Sequence, residues 1–507
     1  MHSFKKCVVA LSINLALFSS AFACTTLLVG SEASADGSMM VARSADSDAL
    51  KAQHFVIHPA KQGQSGVHSS KAHNGANDFS YPLPKNSLRY TTVPNWKTRL
   101  HGATGFNDKG VGVSGTESIF ASPEALAFDP YVEDKGITED DIPDVLLSRS
   151  TSAREAISLL GNIIETIGAG EGFGVAVVDD NELWYLETAT GHHWMAQRLP
   201  KNHYFATGNQ GRLQQYDPAS ADMMGSKNLI EFATEKGLYH PQKDGVFNFS
   251  KAYTRDDERD RTYNDPRVWT IQQMFNPSLK QAVDAGRQFP VTLSPEKKMT
   301  LEEVKAVLRN HYDGTEHDPY SKGLNGQEPW RPVSVFRTYE SHVMQVRPWL
   351  PREVGGRVTY VGLGMADLTA FVPYYSGLED YPAHYAMGSD KADSDSIYWK
   401  YRTLQTLVMT DYPKLAPMVK PACQSWEAKI VKEQKEMEAN YLKTVKTDKV
   451  AANSMLNDFN LRVMQEAETL TEDLTNQIFT VRTQDIQADI FFANKAKKRL
   501  IAAPMMW

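Results

Sequence analysis

Ala21-Phe22-Ala23-Cys24-Thr25-Thr26-Leu27-Leu28-Val29-Gly30 joins the end of one kind of segment to the start of another. Upstream, Lys5 and Lys6 form a basic start and Cys7 to Phe18 an apolar core. Ser19 to Ala23 is a small-residue end with alanine at the −3 and −1 positions. This is the pattern of a bacterial-type export signal over residues 1–23, too short to span a bilayer stably. Downstream, Cys24 to Gly30 reads as a β-strand, Asp36-Gly37 as a hairpin turn, and Ser38-Met39-Met40-Val41-Ala42 as a second strand. The second strand delivers Arg43 and then Asp46. Cleavage after Ala23 is expected to leave an exported chain, periplasmic or secreted, that begins with Cys24.

Such an N-terminus is a nucleophile and a base on one residue. The thiolate is the reactive form of cysteine, and a free thiol is mostly protonated at neutral pH. An adjacent base must therefore take the proton. An α-amine titrates at about 7.7–8, close enough to working pH to accept a proton and return it to a leaving amine. Arg43 supplies a permanent positive charge that favours the thiolate, and Asp46 is placed to accept a hydrogen bond from the α-amine. Two other readings of the stretch exist. Cys24 can be a buried core cysteine with Arg43 and Asp46 as a surface ion pair. Ala-Phe-Ala-Cys can also be a lipoprotein acylation site that anchors a binding protein, although Ala21 at −3 and Phe22 at −2 fit that box poorly.

Bulk composition narrows the function classes. The chain has 507 residues, 41% hydrophobic and 23% charged, as in ordinary globular proteins. A net charge of −7 with no long Lys/Arg run excludes a nucleic-acid partner. Beyond the leader, no run reaches the roughly 18 apolar residues of a membrane-spanning helix, so no stable membrane insertion is expected. Of three cysteines, Cys7 lies in the leader, leaving Cys24 and Cys423, which is no disulfide framework.

Along the chain, period-two runs at Phe173 to Val178 and Glu182 to Thr188 flank the hairpin signal Asp179-Asp180-Asn181. Helical spacing occupies Ile137 to Ile167, Leu229 to Lys236, Thr270 to Phe275 and Leu301 to His311. Strands are expected again at Val333 to Arg347 and Arg357 to Leu363. From about Asp395 onward Glu, Lys, Leu, Ala and Gln dominate without alternation. Pattern alone gives an α/β body followed by a helical C-terminal part. There is no Gly-x-Ser-x-Gly, Walker A or dinucleotide fingerprint, and neither His192-His193 nor Asp313 to Asp318 has metal-site spacing.

A series of short segments carries more. They are Cys24-Thr25-Thr26, Arg43-Ser44-Ala45-Asp46, Asn107-Asp108-Lys109-Gly110-Val111 and Ser114-Gly115-Thr116-Glu117. Glu171-Gly172-Phe173-Gly174, Glu182 to Glu187, Gly208-Asn209-Gln210-Gly211-Arg212, His311 to Thr315 and Val372-Pro373-Tyr374-Tyr375 follow in order. In this order the chain resembles the N-terminal-nucleophile cysteine dipeptidases of the dipeptidase A type, relatives of penicillin V acylase and bile salt hydrolase. The resemblance covers Cys24 to about Tyr401. It implies an α+β fold, the αββα four-layer sandwich of the N-terminal-nucleophile hydrolases, over 24–400, with a mainly helical extension over 401–507.

The resemblance further implies hydrolysis of small peptides, dipeptides in particular, through a Cys24 thioester, with no metal or organic cofactor. An amidase acting on N-acyl compounds is the alternative. Cys24 matches the nucleophile, and Arg43 and Asp46 the Arg-x-x-Asp pair beside it. Asn209 matches the oxyanion-hole asparagine, and Arg261 falls at a second active-site arginine, with Arg255, Arg259 and Arg267 as substitutes. Where bile salt hydrolases carry asparagine in an Ala-Gly-Leu-Asn segment, this chain has Glu117. A carboxylate there suits a substrate with a free ammonium group, so Glu117 is expected to bind substrate.

Overall fold

A computed structural model of the chain describes residues 24–322, 330–352 and 356–501, the last ten of them by backbone alone. The expected export signal, residues 1–23, lies outside the described residues.

Two antiparallel sheets account for most of the strand content. The first has seven strands in the order Thr292–Leu293, Tyr204–Thr207, Thr25–Val29, Met39–Asp46, Thr338–Val346, Arg357–Leu363 and Val372–Tyr375. The second has six, ordered Met223–Gly225, Trp194–Arg198, Leu183–Thr188, Phe173–Val178, Gly112–Ser118 and Thr104–Phe106. The opening hairpin sits in the middle of the first sheet, with Thr26 opposite Arg43 on one side and Thr207 on the other. Gly37 occupies its turn at φ 86°, a left-handed backbone that suits glycine.

These central strands are buried on both faces, so they read as continuous apolar runs, and alternation decides which core each residue enters. Leu28, Met39, Val41, Phe205 and Met344 of the first sheet meet Ala176, Val178, Leu183, Tyr185 and Met195 of the second, forming the layer between sheets. Their chain neighbours Leu27, Val29, Met40, Ala42 and Tyr204 point the other way, into a core with the C-terminal helices. On the far side, Val175, Val177, Trp184, Leu186 and Trp194 pack under Ile157, Leu160 and Ile164. The architecture is the four-layer αββα sandwich.

The helical spacing over Ile137 to Ile167 resolves into two helices, Ile142–Leu147 and Ala153–Thr166. The second starts where the Ser152 hydroxyl accepts a hydrogen bond from the Glu155 N–H, an N-cap that satisfies an otherwise orphan donor. Helices Ile397–Val408, Tyr412–Thr444 and Lys449–Ile501 form the outer layer over the first sheet. Tyr401, Leu404, Leu415, Val419, Ile430 and Phe459 share a core with the sheet, and burial along the last helix continues to Ile478. The segment that composition sets apart from 401 onward thus covers one face of the body. Cys24 and Cys423 are both free and buried. Among the described residues no helix is long and apolar enough to cross a membrane.

Candidate functional site

At one end of the space between the sheets the apolar lining gives way to polar side chains. Cys24, Thr26 and Arg43 come from the first sheet, and Glu117 and Tyr185 from the second, all within 3% of full burial. Their placement follows from the alternation that sends Leu28 and Val41 inward, because Cys24 and Arg43 lie an even number of residues away.

Arg43 is the hub. Its Nη2 lies 3.0 Å from Cys24 Sγ and also donates to the Thr116 carbonyl oxygen, while its Nε stands 3.2 Å from Glu117 Oε1. Burial nevertheless pushes the Cys24 thiol up to about 11. Arg43 pulls it down, and the Asp46 and Glu117 carboxylates push it further up. At neutral pH the thiol is therefore protonated, and attack requires a base to remove the proton.

Glu117 corrects one expectation. Its carboxylate accepts hydrogen bonds from the Thr26 hydroxyl and from the Tyr185 hydroxyl at 2.9 Å, and it pairs with Arg43. With both oxygens engaged and 1% exposure, it neutralises and aims Arg43 instead of facing a substrate ammonium group. A buried guanidinium without such a partner would be strongly unfavourable, which gives the physical reason for a carboxylate at this position.

Asp46 accepts from the Thr338 hydroxyl, from Ser44 Oγ at 3.2 Å and from Arg331, a long-range partner reached across the sheet end. Asn209 follows the Tyr204–Thr207 strand next to Cys24, and its Oδ1 accepts from Arg267 Nη2 at 3.0 Å. Since a guanidinium only donates, this contact fixes which side of the Asn209 amide is its oxygen and turns the NH2 group away from Arg267. Arg267 Nη1 also donates to the Cys24 carbonyl oxygen at 2.6 Å and to Thr25 Oγ1 at 2.8 Å. Asn264 completes the frame, its Oδ1 accepting the Asn209 N–H at 2.9 Å and Arg267 Nη2 at 2.5 Å. Burial, with the neighbouring Arg331 charge, pulls Arg267 down to about 9.

Arg261 is not part of this frame. It lies on the Glu258–Tyr263 helix, a third exposed, and pairs with Asp256 at 2.7 Å and Asp265 at 2.9 Å. The arginine among these that reaches Cys24, at its carbonyl oxygen, is Arg267, one of the three substitutes that spacing allowed. It sits in the first turns of the Asp265–Phe275 helix, facing the sheet, whereas Arg261 is held outward by its two acidic partners.

The sequence model of Peptidase family C69 matches residues 23–424. The chain belongs to peptidase family C69. It is 51% identical over 385 residues to a probable dipeptidase of Salmonella dublin, covering 75% of this chain and 86% of that one. It is 35% identical over 395 residues to a probable dipeptidase of Latilactobacillus sakei, covering 77% and 82% respectively. Among solved structures, penicillin V acylase from Agrobacterium tumefaciens aligns with a TM-score of 0.32 and 12% identity, over 69% of this chain and 85% of that one. That similarity is too low to carry an argument.

In this C69 peptidase the structure thus brings Cys24, Arg43, Asp46 and Asn209 together and adds Arg267, Arg331, Asn264 and Thr116. Asn264 and Arg267 are three residues apart on adjoining turns, a spacing legible in the sequence, but nothing local tied that pair to residue 24. Among the described residues, one group outside the site has metal-like composition: His311 and Asp367, both buried, and Asp313, which is exposed. Lys420 Nζ lies 2.8 Å from Asp367 and 3.1 Å from Asp313, so an ammonium group already fills the position of a cation.

Proposed function

We propose that this C69 peptidase is an exported cysteine dipeptidase whose catalytic base is the α-amine of Cys24, released by cleavage after Ala23. The observation that carries this reading is the buried thiol beside Arg43, pushed up to about 11 and lacking a histidine within hydrogen-bonding reach among its described partners. A nucleophile in that state needs a base at the moment of attack, and the α-amine of the same residue is the group that processing would create. The names of the Salmonella dublin and Latilactobacillus sakei relatives point to dipeptides as substrate.

The steps balance as follows. Cys24 Sγ bonds to the scissile carbonyl carbon as its proton passes to the α-amine. The Asn209 amide, fixed by Arg267, stabilises the oxyanion together with a backbone N–H. Collapse breaks the C–N bond, the ammonium returns its proton to the leaving amine, and a thioester remains. Water, deprotonated by the α-amine, then releases the acid and restores the thiol. Arg43 offsets charge developing on sulfur, and Asp46 orients the amine.

Mass measurement of the mature N-terminus combined with turnover assays tests the reading. A free N-terminal Cys24, hydrolysis of dipeptides over N-acyl amino acids, and loss of turnover to background in Cys24→Ala are expected. Full activity in a chain still bearing residues before Cys24 would overturn it. So would a diacylglyceryl adduct on Cys24, or a preference for N-acyl amino acids.

A further inference from the structure

A cleft of about 570 Å³ opens past the end of the Met39–Asp46 strand that carries Arg43, within the size range of small-molecule sites. Ser47, which follows Asp46, and Lys51 line it, as do Thr138, Glu139, Asp140 and Glu171. Its charged lining comprises five carboxylates against two lysines, Lys51 and Lys97.

Glu139 is connected to Cys24 through Thr116 and Arg43. The Thr116 hydroxyl donates to Glu139 Oε2 at 2.8 Å, and the Thr116 carbonyl accepts from the Arg43 Nη2 that lies 3.0 Å from Sγ. On its other side, Glu139 Oε1 stands 3.6 Å from His101 Nδ1, and His101 Nε2 meets the Tyr339 hydroxyl at 2.7 Å. Glu171 Oε1 in turn accepts the Glu139 backbone N–H at 2.9 Å.

A separate observation indicates that this wall lacks a partner. Thr138 lines the cleft at 5% exposure, and its hydroxyl has no hydrogen-bond partner. Buried hydroxyls are normally satisfied, so an unmatched one beside crowded carboxylates marks the place of a missing donor. The crowding is visible in the titration as well. Burial and the neighbouring Glu139 push Glu171 up to about 8, and burial with Glu139 pushes Asp140 up to about 6.

We infer that Glu139, with Glu171 and the Thr138 hydroxyl, forms the subsite for the free α-ammonium group of the substrate. The inference rests on the dipeptidase reading and deepens it. In a dipeptide the scissile carbonyl belongs to the first residue, so its ammonium nitrogen lies only about 2.5 Å from the carbon under attack. The group that recognises it must therefore lie at the same end of the site as the nucleophile, and Glu139 is the cleft carboxylate connected to Cys24 through Thr116 and Arg43. An ammonium group brings a donor for the Thr138 hydroxyl and adds positive charge to that of Lys51, which already acts on Glu139, Asp140 and Glu171. Glu117, the carboxylate first expected in this role, is committed to Arg43.

The test is binding of L-alanyl-L-alanine and N-acetyl-L-alanyl-L-alanine to Cys24→Ala by isothermal titration calorimetry. The free dipeptide is expected to bind at least tenfold more tightly. Adding Glu139→Gln should shrink that preference at least tenfold, and Glu139→Asp should restore part of it. Glu171→Gln keeps an acceptor for the Glu139 N–H, and is expected to cut the preference several-fold even if the Glu139 variant does not fold. At neutral pH, binding of the free dipeptide should also release protons as Glu171 ionises, seen as a heat that varies with buffer. Equal affinity for the two ligands, or a preference unchanged by both substitutions, overturns the subsite. Failure of the enzyme with free Cys24 to hydrolyse dipeptides defeats the activity reading instead, and the ammonium preference of the Cys24→Ala cleft is then judged by its own isotherms.

Discussion

Replacing Arg267 separates the site observed here from the one that spacing alone suggested. This guanidinium bridges the Cys24 carbonyl, Thr25 Oγ1, Asn209 Oδ1, Asn264 Oδ1 and, through Nε at 2.9 Å, the Tyr263 carbonyl. Arg267→Ala leaves several buried acceptors without donors. Hydrogen bonds to charged groups contribute about 1.5–3 kcal/mol each. Relief of the cost of burying the charge, evident in its downward shift to about 9, offsets part of the loss. A net destabilisation of about 3–5 kcal/mol is expected, in the range for removing one member of a buried charged network.

Arg267→Lys is the sharper probe because it keeps the charge. A lysine has a compact ammonium in place of a planar fork, and cannot hold the Cys24 carbonyl and the Asn209 amide in one arrangement. With Asn209 unfixed, kcat should fall about 10²-fold, toward the loss seen when an oxyanion donor is removed. KM should change much less. Arg261→Ala removes only two partly exposed ion pairs and should cost no more than about 1 kcal/mol with kcat intact. Urea unfolding and dipeptide turnover on the three variants decide the matter. Wild-type kcat in Arg267→Lys, or a collapse of kcat in stably folded Arg261→Ala, would refute the assignment.

Two further predictions follow from the buried carboxylates. Glu117→Gln strips Arg43 of its counter-charge and should destabilise the fold by about 3–5 kcal/mol in denaturant unfolding. The same variant should bring the Cys24 thiol below about 11, read as faster iodoacetamide alkylation at a given pH, because Glu117 contributes to the upward push; an unchanged alkylation profile would count against the contact. Glu171, raised in the fold to about 8 by burial and Glu139, retains a proton that the unfolded chain releases above its ordinary value near 4.5. Its favourable contribution is thus full below 4.5 and lost as pH rises through about 8. Glu171→Gln, which does not titrate, should gain stability relative to the parent between those pH values. About 1–2 kcal/mol is expected after allowing for partial exposure; equal melting profiles at pH 4.5 and pH 8 would sink this reasoning.

The opening hairpin and the Asp179-Asp180-Asn181 hairpin were legible because turn residues and side-chain alternation are local properties. The Phe173–Val178 and Leu183–Thr188 strands lie as the period-two runs imply, with Val178 opposite Leu183. Composition from 395 onward likewise announced helices. It could not announce that they cover the first sheet, since the surface they bury is made by strands distant in the chain.

The order of short segments carried the family, and the Cys24, Arg43 and Asp46 group needed only a hairpin register, Thr25 opposite Ser44, to come together. Charge partners were a different matter. Glu117 meets Arg43 only because two sheets stack face to face, and Arg267 reaches the Cys24 carbonyl from a helix 243 residues away. Electrostatic complementarity at such range has no period and no spacing rule. By itself the sequence determined the opening hairpin, the hairpin around Asp179-Asp180-Asn181 and the family, and it singled out Cys24. Tertiary packing alone decided that Arg267 and not Arg261 reaches the Cys24 carbonyl, and which glutamate supports Arg43. It also decided which carboxylates share the cleft with Lys51, because burial and pairing exist only once the layers close.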